Sequence, residues 1–214
     1  MKLSLAVNKT FSQIKNVVFD WGGVITRIDY QKSIEAFGRF GVDHFEDQYT
    51  QLHQSALFVQ LEEGRISPEV FRLQLKKIIP KPVSNEQLDE AWSAMLLETP
   101  AENIEILKGA KRNYRTFLLS NTNEIHVKRY NAGLKQTFGI NGFSELFEKV
   151  YYSHITSIRK PNRKIFELIR EENGLIPGET LFIDDTFPHI ETAVSLGWQI
   201  FHLKPPYTLK NLFE

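Results

Sequence analysis

The sequence predicts an α/β protein, an open and mostly parallel sheet flanked by helices, with an all-helical block inserted after the first strand. Three observations predict it. Short uninterrupted apolar runs recur along the chain, helical patterns separate most of them, and one interval, residues 29–100, carries helix signals alone.

The apolar runs come first. They are Val17-Val18-Phe19 before Asp20, Thr116-Phe117-Leu118-Leu119 before Ser120, Val150-Tyr151-Tyr152 before Ser153, and Thr180-Leu181-Phe182-Ile183 before Asp184. The last, Gln199-Ile200-Phe201-His202-Leu203, runs into Lys204-Pro205-Pro206. Apolar runs of this length suit strands covered on both faces, as in a parallel sheet. Helices lie between them. Thr99-Pro100-Ala101-Glu102 offers a cap residue, a first-turn proline and a capping-box glutamate ahead of Ile104, Ile106 and Leu107. Residues 164–172 place Ile165, Phe166, Leu168 and Ile169 on one stripe, and Asn173-Gly174 ends it. Residues 189–196 carry Ile190, Ala193, Val194 and Leu196 and stop at Gly197.

The exceptional interval has its own helix starts. Ser67-Pro68-Glu69 precedes Val70, Phe71, Leu73 and Leu75, and Ser84-Asn85-Glu86-Gln87 has capping-box spacing ahead of Leu88, Ala91, Trp92 and Met95. A stretch this long exceeds an ordinary crossover connection. It predicts a helical subdomain over residues 29–100, above the strand ends, with residues 1–28 and 101–214 as the core.

Bulk composition narrows the function classes. With 214 residues, 42% hydrophobic and 24% charged, the chain can bury a sizeable core. Lys and Arg (26) balance Asp and Glu (26), so there is no excess of positive charge for general nucleic-acid binding. There are no cysteines, which excludes disulfides, thiolate metal sites and a cysteine nucleophile. The N-terminal apolar run is about five residues, short of the ~7–15 of a signal-peptide core. No apolar stretch approaches the ~20 residues that span a bilayer. The expectation is a soluble cytoplasmic protein; oligomeric state leaves no mark on the sequence.

In open α/β sheets, ligands bind outside the carboxyl ends of the strands. Those ends carry Asp20, Ser120 with Asn121, Lys160-Pro161 after the third strand, and Asp184-Asp185. Three carboxylates in one crevice repel unless positive charge sits among them. A hard divalent cation fits, and Mg2+ characteristically uses one or two carboxylates together with waters and a substrate phosphate. Gly22 and Gly23 allow a sharp turn and close approach of the backbone to a ligand.

Four motifs in this order resemble the haloacid dehalogenase superfamily: Phe19-Asp20-Trp21-Gly22-Gly23-Val24, Leu119-Ser120-Asn121-Thr122-Asn123, Arg159-Lys160-Pro161 and Phe182-Ile183-Asp184-Asp185. The helical insert after the first motif resembles the cap of subclass I members. The motifs look most like a bacterial sugar-phosphatase branch that includes glucose-1-phosphate phosphatases. The resemblance implies a Rossmann-like core and a Mg2+-dependent phosphatase acting on a small phosphorylated metabolite, with sugar 1-phosphates favoured. It implies that Asp20 is the nucleophile and forms an aspartyl-phosphate. Ser120 and the backbone amide of Asn121 would bind phosphoryl oxygens, and Lys160 would neutralise nucleophile and phosphate. Asp20, the Gly22 carbonyl and Asp185 would hold the metal, with Asp184 as a further ligand or an orienting partner.

The family's usual second aspartate, the general acid/base, is replaced by Gly22. A positioned acid typically contributes ~10²–10⁴-fold, so either the leaving group departs easily or another residue assists. Glu62, Glu63, Arg65, Asn123 and His126 are the residues considered for that task. His189 reads as an ordinary first-turn residue, Arg27, Arg65 and Arg159 as solvated charge that could also steer an anionic substrate, and Trp21 and Trp92 as packing. A carbon–halogen hydrolase shares the scaffold but normally lacks the paired acids. A signalling receiver carries its acidic pair on the first strand, which is the wrong order here. A non-catalytic binding protein stays open because of Gly22.

Overall fold

The computed structural model describes residues 11–42, 44–45 and 55–213. The N-terminal apolar run behind the targeting expectation falls within residues 1–10, outside the described residues. Five strands form one sheet: β1 (Asn16–Phe19), β2 (Arg115–Ser120), β3 (Lys149–Tyr152), β4 (Thr180–Asp184) and β5 (Gln199–His202). All pair in parallel, in the order β3-β2-β1-β4-β5. These are the five apolar runs, with ends shifted by a residue or two. The helices are α1 (Tyr30–Gly38), α2 (Ala56–Glu62), α3 (Pro68–Ile78), α4 (Asn85–Ser93), α5 (Ala101–Asn113), α6 (Glu124–Phe138), α7 (Ser153–Thr156), α8 (Arg163–Asn173), α9 (Phe187–Ser195) and α10 (Leu209–Leu212).

The continuous apolar character of the strands has a direct cause. Side chains alternate between faces, and each face has its own core. Val17, Phe19, Leu118, Leu181 and Ile183 pack with Ile104, Leu107 and Ala110 of α5 and Leu134 of α6. Val18, Phe117, Leu119 and Phe182 pack with Ile165, Phe166 and Ile169 of α8 and Ala193 of α9. Neither face can be polar, so no polar alternation survives in the sequence.

The helix starts at Ser67 and Ser84 are as expected: Ser67 Oγ accepts from Val70 N, and Ser84 and Gln87 form a full capping box. The start of α5 differs. Pro100, not Thr99, is the cap residue, without a side-chain cap bond. Thr99 Oγ1 instead lies 2.7 Å from both Thr26 Oγ1 and Tyr130 Oη, and the Trp21 indole N–H donates to Thr26 Oγ1 at 2.9 Å. Buried hydroxyls need partners, and this network outcompetes the cap.

The four helices α1–α4 share a hydrophobic cluster distinct from those of the sheet, built on Phe37, Phe58, Phe71, Leu75, Leu88 and Trp92 and joined by Ile125 of α6. The chain enters and leaves this block side by side. Asp29 N donates to Met95 O (2.9 Å), Leu97 N donates to Arg27 O (2.9 Å), and Ile28 and Leu96 form an antiparallel bridge. A second tie runs through α6, where His126 Nε2 donates to Trp92 O at 3.2 Å and the two rings stack. Among the described residues, no helix is long and apolar enough to cross a membrane.

Candidate active site

Sheet order sets the position of the site. The connections run from β1 towards β3 on one side and from β4 to β5 on the other, so the switch point falls between β1 and β4. Phe19 is in register with Leu118 and Ile183, which brings the next residue, Asp20, out level with the ends of β2 and β4. Its backbone N–H donates to Ile183 O at 2.9 Å, and Trp21 N donates to its Oδ1 at 2.7 Å. Ser120 and Asp184 are the last residues of their own strands, both buried.

Lys160 reaches this point from the loop between α7 and α8, with its side chain fully buried. Its Nζ lies 2.8 Å from Asp20 Oδ1 and 2.6 Å from Asp184 Oδ2. The Asn121 side chain fixes its backbone: Nδ2 donates to Lys160 O and Oδ1 accepts from Lys160 N, both at 2.8 Å. Asp184 is surrounded by donors, with Thr186 N on Oδ1 at 2.8 Å and His189 Nδ1 3.0 Å from Oδ2. Asp185 accepts from Thr186 Oγ1 at 3.0 Å and lies against Gly23 (φ +76), where a Cβ would collide with its carboxylate. A Cβ on Gly22 would approach Ile28 Cγ1 to 3.1 Å, so the place of the missing acid is crowded by an apolar side chain.

A small cavity of about 90 Å³ lies over Asp20, Ser120, Asn121 and Asp185, and Tyr30, Glu62 and Arg159 also line it. Glu62, at the end of α2, is only 4% exposed, and its Oε2 lies 2.9 Å from Arg159 Nη2.

The electrostatics follow from one ammonium serving three carboxylates. Burial pushes the Asp20 carboxyl well above its ordinary range; Lys160 opposes this, while the charges of Asp184 and Asp185 add to it. Burial, then the charge of Asp184, raises Asp185. Burial also works against ionised Asp184, yet Lys160 and His189 hold it at about 2. Burial disfavours the Lys160 ammonium, but Asp184 and Asp20 hold its pKa above the usual value. Burial lowers His189, while the bond from its Nδ1 to Asp184 opposes the shift. Burial raises the Tyr30 phenol, and Asp185 and Glu62 add to the shift.

All the strand-end residues singled out by sequence thus meet at one place. Of the five considered as substitutes for the missing acid, only Glu62 is among the lining residues. Arg65 pairs with Glu63, while Asn123 caps α6 and bonds His126 N. His126 is buried against Trp92, and Arg27 pairs with Glu98 on the surface. Trp21 and Trp92 are packed in the interior. Two residues were undervalued and a third, Tyr30, was missed. His189 bonds Asp184, Arg159 lines the cavity, and Tyr30 joins it from the first position of α1. His189 could have been found from its place one helical turn beyond the acidic pair and Arg159 from its contact with Lys160 in sequence; Tyr30 left no signal.

A sheet that converges an aspartate, a lysine and an acidic pair on its switch point defines a class of α/β hydrolases. The chain belongs to the haloacid dehalogenase-like hydrolases, whose family profile matches residues 14–197. It is 32% identical over 190 residues to D-ribitol-5-phosphate phosphatase of Bacteroides thetaiotaomicron, covering 88% of this chain and 91% of the relative. It is also similar to a solved enzyme of this family from the same organism, in complex with magnesium and inorganic phosphate. That match has 33% identity and a TM-score of 0.85, over 94% of this chain and 100% of the other. L-2-haloacid dehalogenase from Xanthobacter autotrophicus shares the fold, at 21% identity and a TM-score of 0.56 over 87% and 76% of the two chains.

Proposed function

We propose that this chain is a Mg2+-dependent phosphatase that hydrolyses a small sugar or polyol phosphate through an aspartyl-phosphate on Asp20. One observation carries the reading. Three carboxylates converge where a phosphate dianion must dock: Lys160 Nζ lies between Asp20 and Asp184, and Asp185 lines the same cavity. A divalent cation would favour the ionised form of all three. The donor set fits a hard ion, because Asp20, Asp185 and Gly22, which bring two carboxylates and a backbone carbonyl, line one cavity and supply only oxygen ligands. Asp20, Asp185 and the Gly22 carbonyl would hold it. When bound, the ion neutralises charge on the transferring phosphoryl group.

Asp20 attacks phosphorus, the ester P–O bond breaks, and the leaving alkoxide takes up a proton from solvent water, since Gly22 supplies no acid. A second water then attacks the aspartyl-phosphate, releasing inorganic phosphate and freeing the Asp20 carboxylate. Lys160 favours the ionised form of Asp20 against the effect of burial and aims it. Ser120 and the Asn121 amide bind phosphoryl oxygens. Asp184, whose oxygens already face Lys160, Thr186 and His189, serves as the orienting partner rather than a principal ligand. The helical block over residues 29–100 acts as a cap, and the cytoplasm remains the expected location. The curated relative's name specifies a primary-alcohol ester, so polyol 5-phosphates join sugar 1-phosphates as substrates to test. The acidic pair favours phosphate over carbon–halogen chemistry.

The test is hydrolysis of p-nitrophenyl phosphate, followed by a panel of sugar and polyol phosphates. Activity should require Mg2+, vanish with EDTA, and fall by at least ~10⁴-fold in Asp20→Asn. A folded protein equally inactive with and without the metal would favour the binding-protein reading, and halide release from 2-chloropropionate would favour the dehalogenase.

A further inference from the structure

We infer that His202, on the neighbouring strand β5, is a positioning residue that aims the Asp185 carboxylate at Mg2+ by fixing the peptide group that follows it. This rests on the metal-dependent reading above. His202 Nε2 lies 2.9 Å from Asp185 O. A carbonyl only accepts, so this ring nitrogen carries a proton and donates. The N–H of the same peptide group, on Thr186, donates to Asp184 Oδ1 at 2.8 Å. That peptide is therefore held at both ends, while Thr186 Oγ1 donates to the Asp185 carboxylate at 3.0 Å. The sheet register explains the reach. His202 stands opposite Asp184, and Leu203 N donates to Asp184 O at 2.9 Å. The imidazole continues the pairing of β4 with β5 one residue further, with a side chain in place of a backbone amide.

The plain alternative is that the ring merely satisfies a carbonyl at a strand end. Asp185 is only partly buried, however, and water bonds such a carbonyl nearly as well. What water does not supply is direction. Mg2+ demands near-ideal octahedral geometry at about 2.0–2.1 Å, so a ligand whose backbone can turn binds it poorly. His202 is not among the residues lining the cavity, and it acts through Asp185 rather than on the substrate. The ring is itself supported. Phe187, the first residue of α9, is 57% exposed, and its ring centroid lies 5.9 Å from that of His202. Apolar burial stabilises in proportion to the area removed from water, so a phenylalanine left this open gains little from it. Bracing the imidazole gives it a purpose.

The experiment measures Mg2+ binding by calorimetry, without substrate, in the wild type, His202→Gln and His202→Asn. The two variants carry the same amide group and differ in reach by one methylene. His202→Asn, too short for Asp185 O, should bind Mg2+ roughly 10- to 100-fold more weakly. His202→Gln, whose amide reaches the place of Nε2, should restore most of that affinity, with the melting temperatures of the two variants alike. Phe187→Ala should weaken binding by about 2- to 10-fold, and it carries the test if the asparagine variant does not fold. An asparagine variant that binds Mg2+ as the wild type does, or a glutamine variant no better than asparagine, would overturn the inference and leave the phosphatase reading standing. A folded wild type that binds no Mg2+ would bring down both.

Discussion

Asn121 shows how much one side chain can organise. By bonding both backbone groups of Lys160, it does for a loop what a neighbouring strand does for a strand, and the fixed backbone is what lets one ammonium bridge Asp20 and Asp184. Asn121→Ala should cost about 2–4 kcal/mol of stability by orphaning those groups, and lower kcat roughly 10- to 100-fold. Denaturant unfolding and aryl-phosphate kinetics would measure both; a variant that loses stability at full kcat would separate the clasp from catalysis. Gly23 is required for a different reason. Its positive φ alone would strain an alanine by about 1–2 kcal/mol, and the added Cβ would displace the Asp185 carboxylate. Gly23→Ala should therefore weaken Mg2+ binding about tenfold or more by calorimetry, with circular dichroism unchanged.

At the scale of elements, the contact between α4 and α6 depends on a neutral imidazole. Burial lowers the His126 pKa to about 4, despite its bond to Trp92 O. The unfolded chain, with an ordinary pKa near 6.5, binds the proton more readily. Stability is therefore full above about pH 6.5 and is lost as pH falls towards 4, by about 3 kcal/mol over that window. His126→Gln should flatten this part of a melting-temperature profile; an unchanged slope would assign it to other groups. The elements themselves were legible where local chemistry decides them. The apolar runs and the serine caps at Ser67 and Ser84 name their structures directly. Thr99 misled because its hydroxyl answers to Thr26 and Tyr130, partners far away in sequence.

At the scale of the molecule, the described residues form two kinds of core, one on each face of the sheet and one among helices. Phe58 sits in the latter, with its ring centroid 4.9 Å from that of Trp92. Phe58→Ala should cost about 3–5 kcal/mol. Hydrogen exchange should record the loss in α2–α4 while β1, β2 and β4 keep their protection; uniform loss would mean that the two parts unfold together. The same division explains what sequence could and could not reveal of the site. Asp20, Ser120, Asp184 and Asp185 announce themselves because a sheet delivers its strand ends to a common edge. Glu62, one of five candidates that sequence alone could not separate, and Tyr30 arrive from the helical block, whose seating on that edge no periodicity encodes. Arg159 looked like ordinary surface charge because its partner is 97 positions away.

The paired segments at residues 27–29 and 95–98 have one more implication. From the sheet's side, the chain departs after the first strand and returns to the same spot, as though it had made only a tight bend. Whatever lies on the detour adds to the closure cost only slowly, about 0.6 kcal/mol for each doubling of length. Excursions of other sizes and shapes could be spliced in at that seam without disturbing the acids beneath it.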